Sequence, residues 1–167
     1  VLLGRKEGAP PPPCALALCS PWLDLRCGGS TGCSSYMIND AHDPMLRGAS
    51  LKKMAQAYAG PKSLADMPRV LQIAQESKAS FPPTLIHVGG NEVVHDDALQ
   101  LAQVLSKNGS KVELKEYDRV IHGWHSFYPV MQQAGAALDH IVEYFGERLG
   151  VPPPPAPAGL AEPEPAH

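Results

Sequence analysis

Short strand-like runs alternate along this chain with stretches of helical periodicity, and that alternation constrains its fold more than any other feature. Cys14-Ala15-Leu16-Ala17-Leu18-Cys19 is wholly apolar and bounded by proline, and Thr84-Leu85-Ile86-His87-Val88-Gly89 runs from Pro82-Pro83 into Gly89-Gly90. Such lengths and boundaries suit buried strands. Lys111 to Tyr117 sets Val112 and Leu114 between charges, as a strand nearer a sheet edge does. Helical spacing marks Leu51, Met54, Ala55 and Tyr58 before Gly60, and Ala98, Leu101, Ala102 and Leu105 before Asn108-Gly109. A long stripe from Phe127 and Val130 through Ile141 and Phe145 ends at Gly150, and Met67, Val70, Leu71 and Ala74 suggest one more helix. The order predicts an α/β fold: about three parallel strands joined by right-handed crossovers, with flanking helices.

The ends read differently. From Val151 to His167 the chain is mostly Pro, Ala and Glu, too poor in large apolar groups to offset its ordering entropy, so a disordered tail is expected after a folded unit over 1–150. Pro10 to Pro13 sets off a helix-like stub, Val1–Lys6. The start does not read as a signal peptide, and its missing initiator Met is what a processed or partial chain, or initiator removal alone, would leave. A formal net charge of −3 recommends neither a nucleic acid nor an anionic membrane as partner. No apolar stretch approaches the roughly 20 residues needed to cross a bilayer. Cys14, Cys19, Cys27 and Cys33 form no C-x-x-C pair and have no His at zinc-finger spacing. They are expected to be reduced and mostly buried in a cytoplasmic protein, with a Cys27–Cys33 disulfide as the alternative.

In an open parallel sheet, ligands bind outside the carboxyl ends of the strands. Two such ends carry ionisable residues: Gly89-Gly90-Asn91-Glu92 with His95-Asp96-Asp97 behind it, and Asp118 to His125 after the third strand. Neighbouring strands lie about 5 Å apart, so a carboxylate on one loop can reach an imidazole on the next. A histidine held by a carboxylate is the base of acyl-transfer chemistry, and acid before histidine is the order found in α/β hydrolases. The acid is Glu92 or Asp96 and the base His122 or His125. Asp96 and Asp97 also suit the N-terminus of a helix as favourable negative charge, and Glu92 could instead be a solvated residue before that helix.

These loops also carry a resemblance. Ser20-Pro21-Trp22-Leu23-Asp24-Leu25, Asn39 with Asp43-Pro44-Met45-Leu46, Val88-Gly89-Gly90-Asn91-Glu92 with Asp96-Asp97, and His122-Gly123-Trp124-His125 stand in the order found in the C-terminal half of hormone-sensitive-lipase-like (bacterial family IV) carboxylesterases. The likeness runs from Val1 to about Gly150 and departs at Asn91, where many relatives have Asp, and over Pro61–Ser80. It implies the last three strands of an α/β-hydrolase sheet, Glu92 as triad acid, His122 as base, small acyl esters as substrates, and no cofactor. The family's nucleophile elbow and oxyanion glycines are expected before Val1.

Gly28-Gly29-Ser30-Thr31-Gly32 satisfies the nucleophile pattern G-x-S-x-G, yet no strand precedes it and no helical stripe follows, so Ser30 reads as a loop serine. His87, inside an apolar run, reads as a hydrogen-bonded core residue. A His122/His125/His140 metal site lacks a supporting carboxylate or cysteine at ligand spacing, and no metal is expected. The sequence therefore predicts the acid and base of a serine esterase without its nucleophile. The rival is a catalytically inactive truncated hydrolase kept as a binding module. In either case the Cys14–Cys19 strand would present an unpaired apolar edge, which predicts marginal stability or self-association.

Overall fold

A computed structural model describes residues 11–27, 34–67 and 81–152. Three parallel strands, β1 (Leu16–Cys19), β2 (Thr84–Gly89) and β3 (Val112–Tyr117), form one sheet in that order. Leu16 stands opposite Thr84 and Cys19 opposite His87, and β2 pairs with β3 from Thr84↔Val112 to Gly89↔Tyr117. The helices are α1 (Ser35–Ile38), α2 (Gly48–Ala59), α3 (His95–Lys107) and α4 (Gln132–Leu149), with 3-10 turns at Leu64–Asp66 and Trp124–Phe127.

The two faces of β2 explain why it is buried throughout. Ile86 and Val88 pack on Ala98, Leu101, Ala102 and Leu105 of α3, joined by Leu18, Val112 and Leu114. Leu85 points the other way, with Ala15, against Tyr144, Ile141 and Phe145 of α4. Side chains alternate across a strand, so a strand covered by a helix on each face is buried at every position, and its polar members, Thr84 and His87, must find hydrogen-bond partners inside. The outer strands are less enclosed: Cys19 is exposed and β3 alternates between half-buried and exposed residues.

Two expectations need correction. The long stripe does not form one helix from Phe127: Val130 is 93% exposed and α4 begins at Gln132. The apolar residues before it belong to the 3-10 turn and to an extended Tyr128-Pro129 link, where Pro129 has no N–H for a helical bond. Cys14 and Cys19 are exposed, against the expectation of mostly buried cysteines, because both belong to the edge strand or its approach; Cys27 is buried. Asp96 and Asp97 stand in the first turn of α3, as their place before its stripe suggested, and Asp97 is 2% exposed. The stub at 1–6, Ser30, Cys33 with its possible bridge to Cys27, the helix expected beyond Met67 and the tail beyond Pro152 lie outside the described residues. No helix among the described residues is long and apolar enough to cross a membrane.

Candidate active site

Both loops expected to carry chemistry open at the carboxyl end of the sheet, and they bring Glu92 and His122 together. Glu92 follows β2 in a tight turn whose N–H donates to the Gly89 carbonyl (3.1 Å), while Gly90 and Asn91 donate across to the Tyr117 and Val120 carbonyls (2.8 and 3.2 Å). This stitches the β2 turn to the loop after β3. The Glu92 side chain is fully buried, and its Oε2 lies 2.9 Å from Nδ1 of His122. A carboxylate only accepts, so Nδ1 carries the proton and Nε2 keeps its lone pair. The imidazole is 26% exposed, so the assembled pair is open to solvent on the histidine side alone.

Oε1 of the same carboxylate accepts from the Gly89 N–H (2.5 Å) and from the Ser20 hydroxyl (2.8 Å). Ser20 follows β1 with a left-handed backbone (φ 50°), and its Oγ also accepts from the Gly123 N–H at 3.4 Å. The neighbouring strand ends thus converge on one buried carboxylate. Asn39 secures the turn from below by donating to the carbonyls of Gly90 (3.0 Å) and Glu92 (2.8 Å), and Asp43 accepts from the Val93 N–H (3.1 Å). Motif residues far apart in sequence are therefore ties around the acid.

Two glycines are required here. Gly123, next to His122, has φ 68° and turns the chain into the 3-10 segment, placing fully buried Trp124 beneath the loop. A Cβ on Gly89 would stand 2.5 Å from the Val120 carbonyl oxygen, 2.8 Å from Val120 Cγ2 and 3.0 Å from Oε1 of Glu92. The tightest of those contacts is with backbone and cannot swing away. Gly89→Ala is expected to lower stability by about 1–3 kcal/mol, read by urea unfolding, and to displace the carboxylate from His122. An unchanged unfolding midpoint would contradict the close approach.

The rival candidates are occupied elsewhere. Asp96 accepts from the Ser35 N–H (2.8 Å), and the Asp96 N–H donates to Ser35 Oγ (3.0 Å). Asp97 Oδ2 accepts from the N–H groups of Leu23 (2.6 Å) and Asp24 (3.0 Å) and from the Tyr36 hydroxyl (2.9 Å), and burial raises its pKa against those bonds. His125 lies 3.3 Å from His87, whose other nitrogen lies 3.0 Å from His140. His122, His125 and His140 therefore do not converge on a point, and among the described residues no group of three His, Cys, Asp or Glu could hold a metal ion. The pairing of acid and imidazole was readable from sequence. The roles of Ser20 and Asp97 were not, though a hydroxyl directly after the last strand residue is the signal that would have drawn notice to Ser20.

Residues 1–126 match a family described as having the alpha/beta hydrolase fold. An acetyl-hydrolase of Streptomyces hygroscopicus is 36% identical over 138 residues, 81% of this chain and 43% of that protein. An esterase of Acinetobacter venetianus is 28% identical over 132 residues, 79% and 42% of the two. The crystal structure of an esterase from the bacterial hormone-sensitive lipase family superposes with a TM-score of 0.73 at 28% identity, covering 84% of this chain and 45% of that one. The chain thus spans less than half the length of these relatives.

Proposed function

This chain belongs to the alpha/beta hydrolase fold family, in its hormone-sensitive-lipase-like branch, and from that premise we propose that it supplies the acid and the base of a serine carboxylesterase. The observation that carries this reading is the 2.9 Å bond from His122 Nδ1 to a fully buried Glu92, which leaves Nε2 as a free base at the solvent-facing side. The nucleophilic serine and the oxyanion donors come from a segment outside this chain, packed beside the outer edge of β1.

In that assembly the serine Oγ attacks the ester carbonyl carbon while Nε2 of His122 takes its proton. Glu92 holds the ring in the tautomer with the proton on Nδ1 and stabilises the imidazolium. The tetrahedral intermediate expels the alcohol oxygen, which receives the proton from Nε2. Water, deprotonated by the same nitrogen, then attacks the acyl-serine, releases the acid and restores the hydroxyl. Small acyl esters fit this chemistry. Neither a cofactor nor a metal enters any step.

The test is a chimera in which the segment preceding the matched region of the Streptomyces acetyl-hydrolase is joined ahead of this chain. The chimera is expected to hydrolyse p-nitrophenyl butyrate, and the 167-residue chain alone to stay at the buffer rate. A chimera that unfolds cooperatively yet hydrolyses nothing would favour the inactive binding module, and turnover by the chain alone would remove the need for an external serine.

A further inference from the structure

Behind the catalytic turn lies a second set of ionisable groups that the triad does not use. His140 Nε2 is 2.8 Å from Oε1 of Glu113, His140 Nδ1 is 3.0 Å from His87 Nε2, and His87 Nδ1 is 3.3 Å from His125 Nε2. The ring planes of His87 lie within 24° of His140 and 8° of His125, with ring centroids 5.0 and 5.5 Å apart. We propose that Glu113, His140 and His87 are positioning residues, a one-way chain of imidazole hydrogen bonds that holds His125 and with it the turn bearing His122, and that a proton taken up at His140 reverses the chain and releases the turn. Its bearing on catalysis rests on the esterase reading; the chain itself does not.

Glu113 sets the direction. Its carboxylate only accepts, so His140 carries a proton on Nε2 and, when neutral, offers a lone pair at Nδ1. His87 must then donate from Nε2 and accept at Nδ1, and His125 must donate from Nε2. The chain ends at His125 Nδ1, which is buried with no hydrogen-bond partner among the described residues. In this direction the orphan is a lone pair. If His140 gains a second proton, its Nδ1 becomes a donor, and every tautomer behind it must invert for the bonds to survive. The orphan is then a buried N–H, the costlier of the two to leave unmade. Half-exposed Glu113 and the partly open His140 ring place the entry point at the surface.

His87 and His125 answer by changing tautomer rather than charge. Burial, with the neighbouring imidazoles and Lys115, pushes His87 down to about 4, and burial with His122 pushes His125 down to about 4. The groups that face the chain are few. Beside His87 stand its register partner Cys19 on β1, Lys115 and Tyr117 on β3, His125 on the 3-10 turn and His140 on α4. Glu113 is the carboxylate bonded to the chain.

Long-range proton–nitrogen NMR of the histidines in the full 167-residue chain, without substrate, tests this apart from any esterase activity. At pH 7.5 His140, His87 and His125 are expected as Nε2–H tautomers, and His122 as Nδ1–H. On acidification, the protonated and bare nitrogens of His87 and His125 should exchange places at the midpoint where His140 gains its proton. The Gly123–Phe127 amides should then exchange faster with solvent. Glu113→Gln, at a half-exposed site, removes the acceptor-only carboxylate that sets the direction and should redistribute the tautomers of His140, His87 and His125 together. His87 and His125 remaining Nε2–H through the His140 titration, or a Glu113→Gln change confined to His140, would overturn the proposal.

Discussion

Replacing Asp97 with alanine is expected to destabilise the chain by about 3–5 kcal/mol, since three donors would lose their acceptor at about 1–3 kcal/mol for each one left buried. Its Oδ2 gathers three donors from two distant segments: the N–H groups of Leu23 and Asp24, 74 and 73 residues away, and the Tyr36 hydroxyl. Alanine would leave all three without an acceptor in a region that packs Tyr36, Val93 and Val94 together. Asparagine separates charge from hydrogen bonding. Because every donor points at one oxygen, a carboxamide oxygen in that position keeps them all, and Asp97→Asn should cost about 1–2 kcal/mol. Tyr36→Phe, which removes one donor, should cost about 1 kcal/mol. Urea unfolding of the three variants gives the order directly. A loss in Asp97→Asn as large as in Asp97→Ala would mean that the charge, and not the oxygen, matters.

What could be read in the sequence divides along a physical line. β2 spans the residues its apolar run marks, because burial on both faces and the glycine behind it act locally. α3 carries Ala98, Leu101, Ala102 and Leu105 toward the sheet as their spacing requires. The placement of Glu92 beside His122 was legible because strand-end loops of adjacent parallel strands are neighbours by construction. The start of α4 was not, since an apolar stripe says nothing about whether Phe127 and Val130 share an axis with Ala134. Nor were the ties of Ser20 to Glu92 and of Asp97 to Leu23, which span 72 and 74 residues. Ser20 adds a left-handed backbone that no local preference of serine would suggest. His87 shows both sides: its burial and hydrogen bonding follow from its place in β2, but its partners come from a 3-10 turn and a helix further along.

In the chimera, Glu92→Gln is expected to lower kcat on p-nitrophenyl butyrate by about 10⁴-fold, the scale seen when a triad acid becomes its amide, while leaving the fold intact. The surroundings of the carboxylate dictate why. Oε1 receives two donors, Gly89 N–H and Ser20 Oγ–H, so the oxygen of a glutamine must occupy that position. Its NH₂ is then forced to the Oε2 position, 2.9 Å from His122 Nδ1, and can only donate. Nδ1 must accept, the ring proton moves to Nε2, and the nitrogen that should take the serine proton already carries one. Glu92→Asp fails differently: losing one carbon–carbon bond, about 1.5 Å, it cannot bond His122 and keep Gly89 and Ser20 at once. Its loss should be partial and accompanied by reduced stability. His122→Ala removes the base altogether and should fall at least as far as Glu92→Gln. A Glu92→Gln chimera that keeps its fold and stays within tenfold of the parent kcat would show that this carboxylate does not set the tautomer of the base.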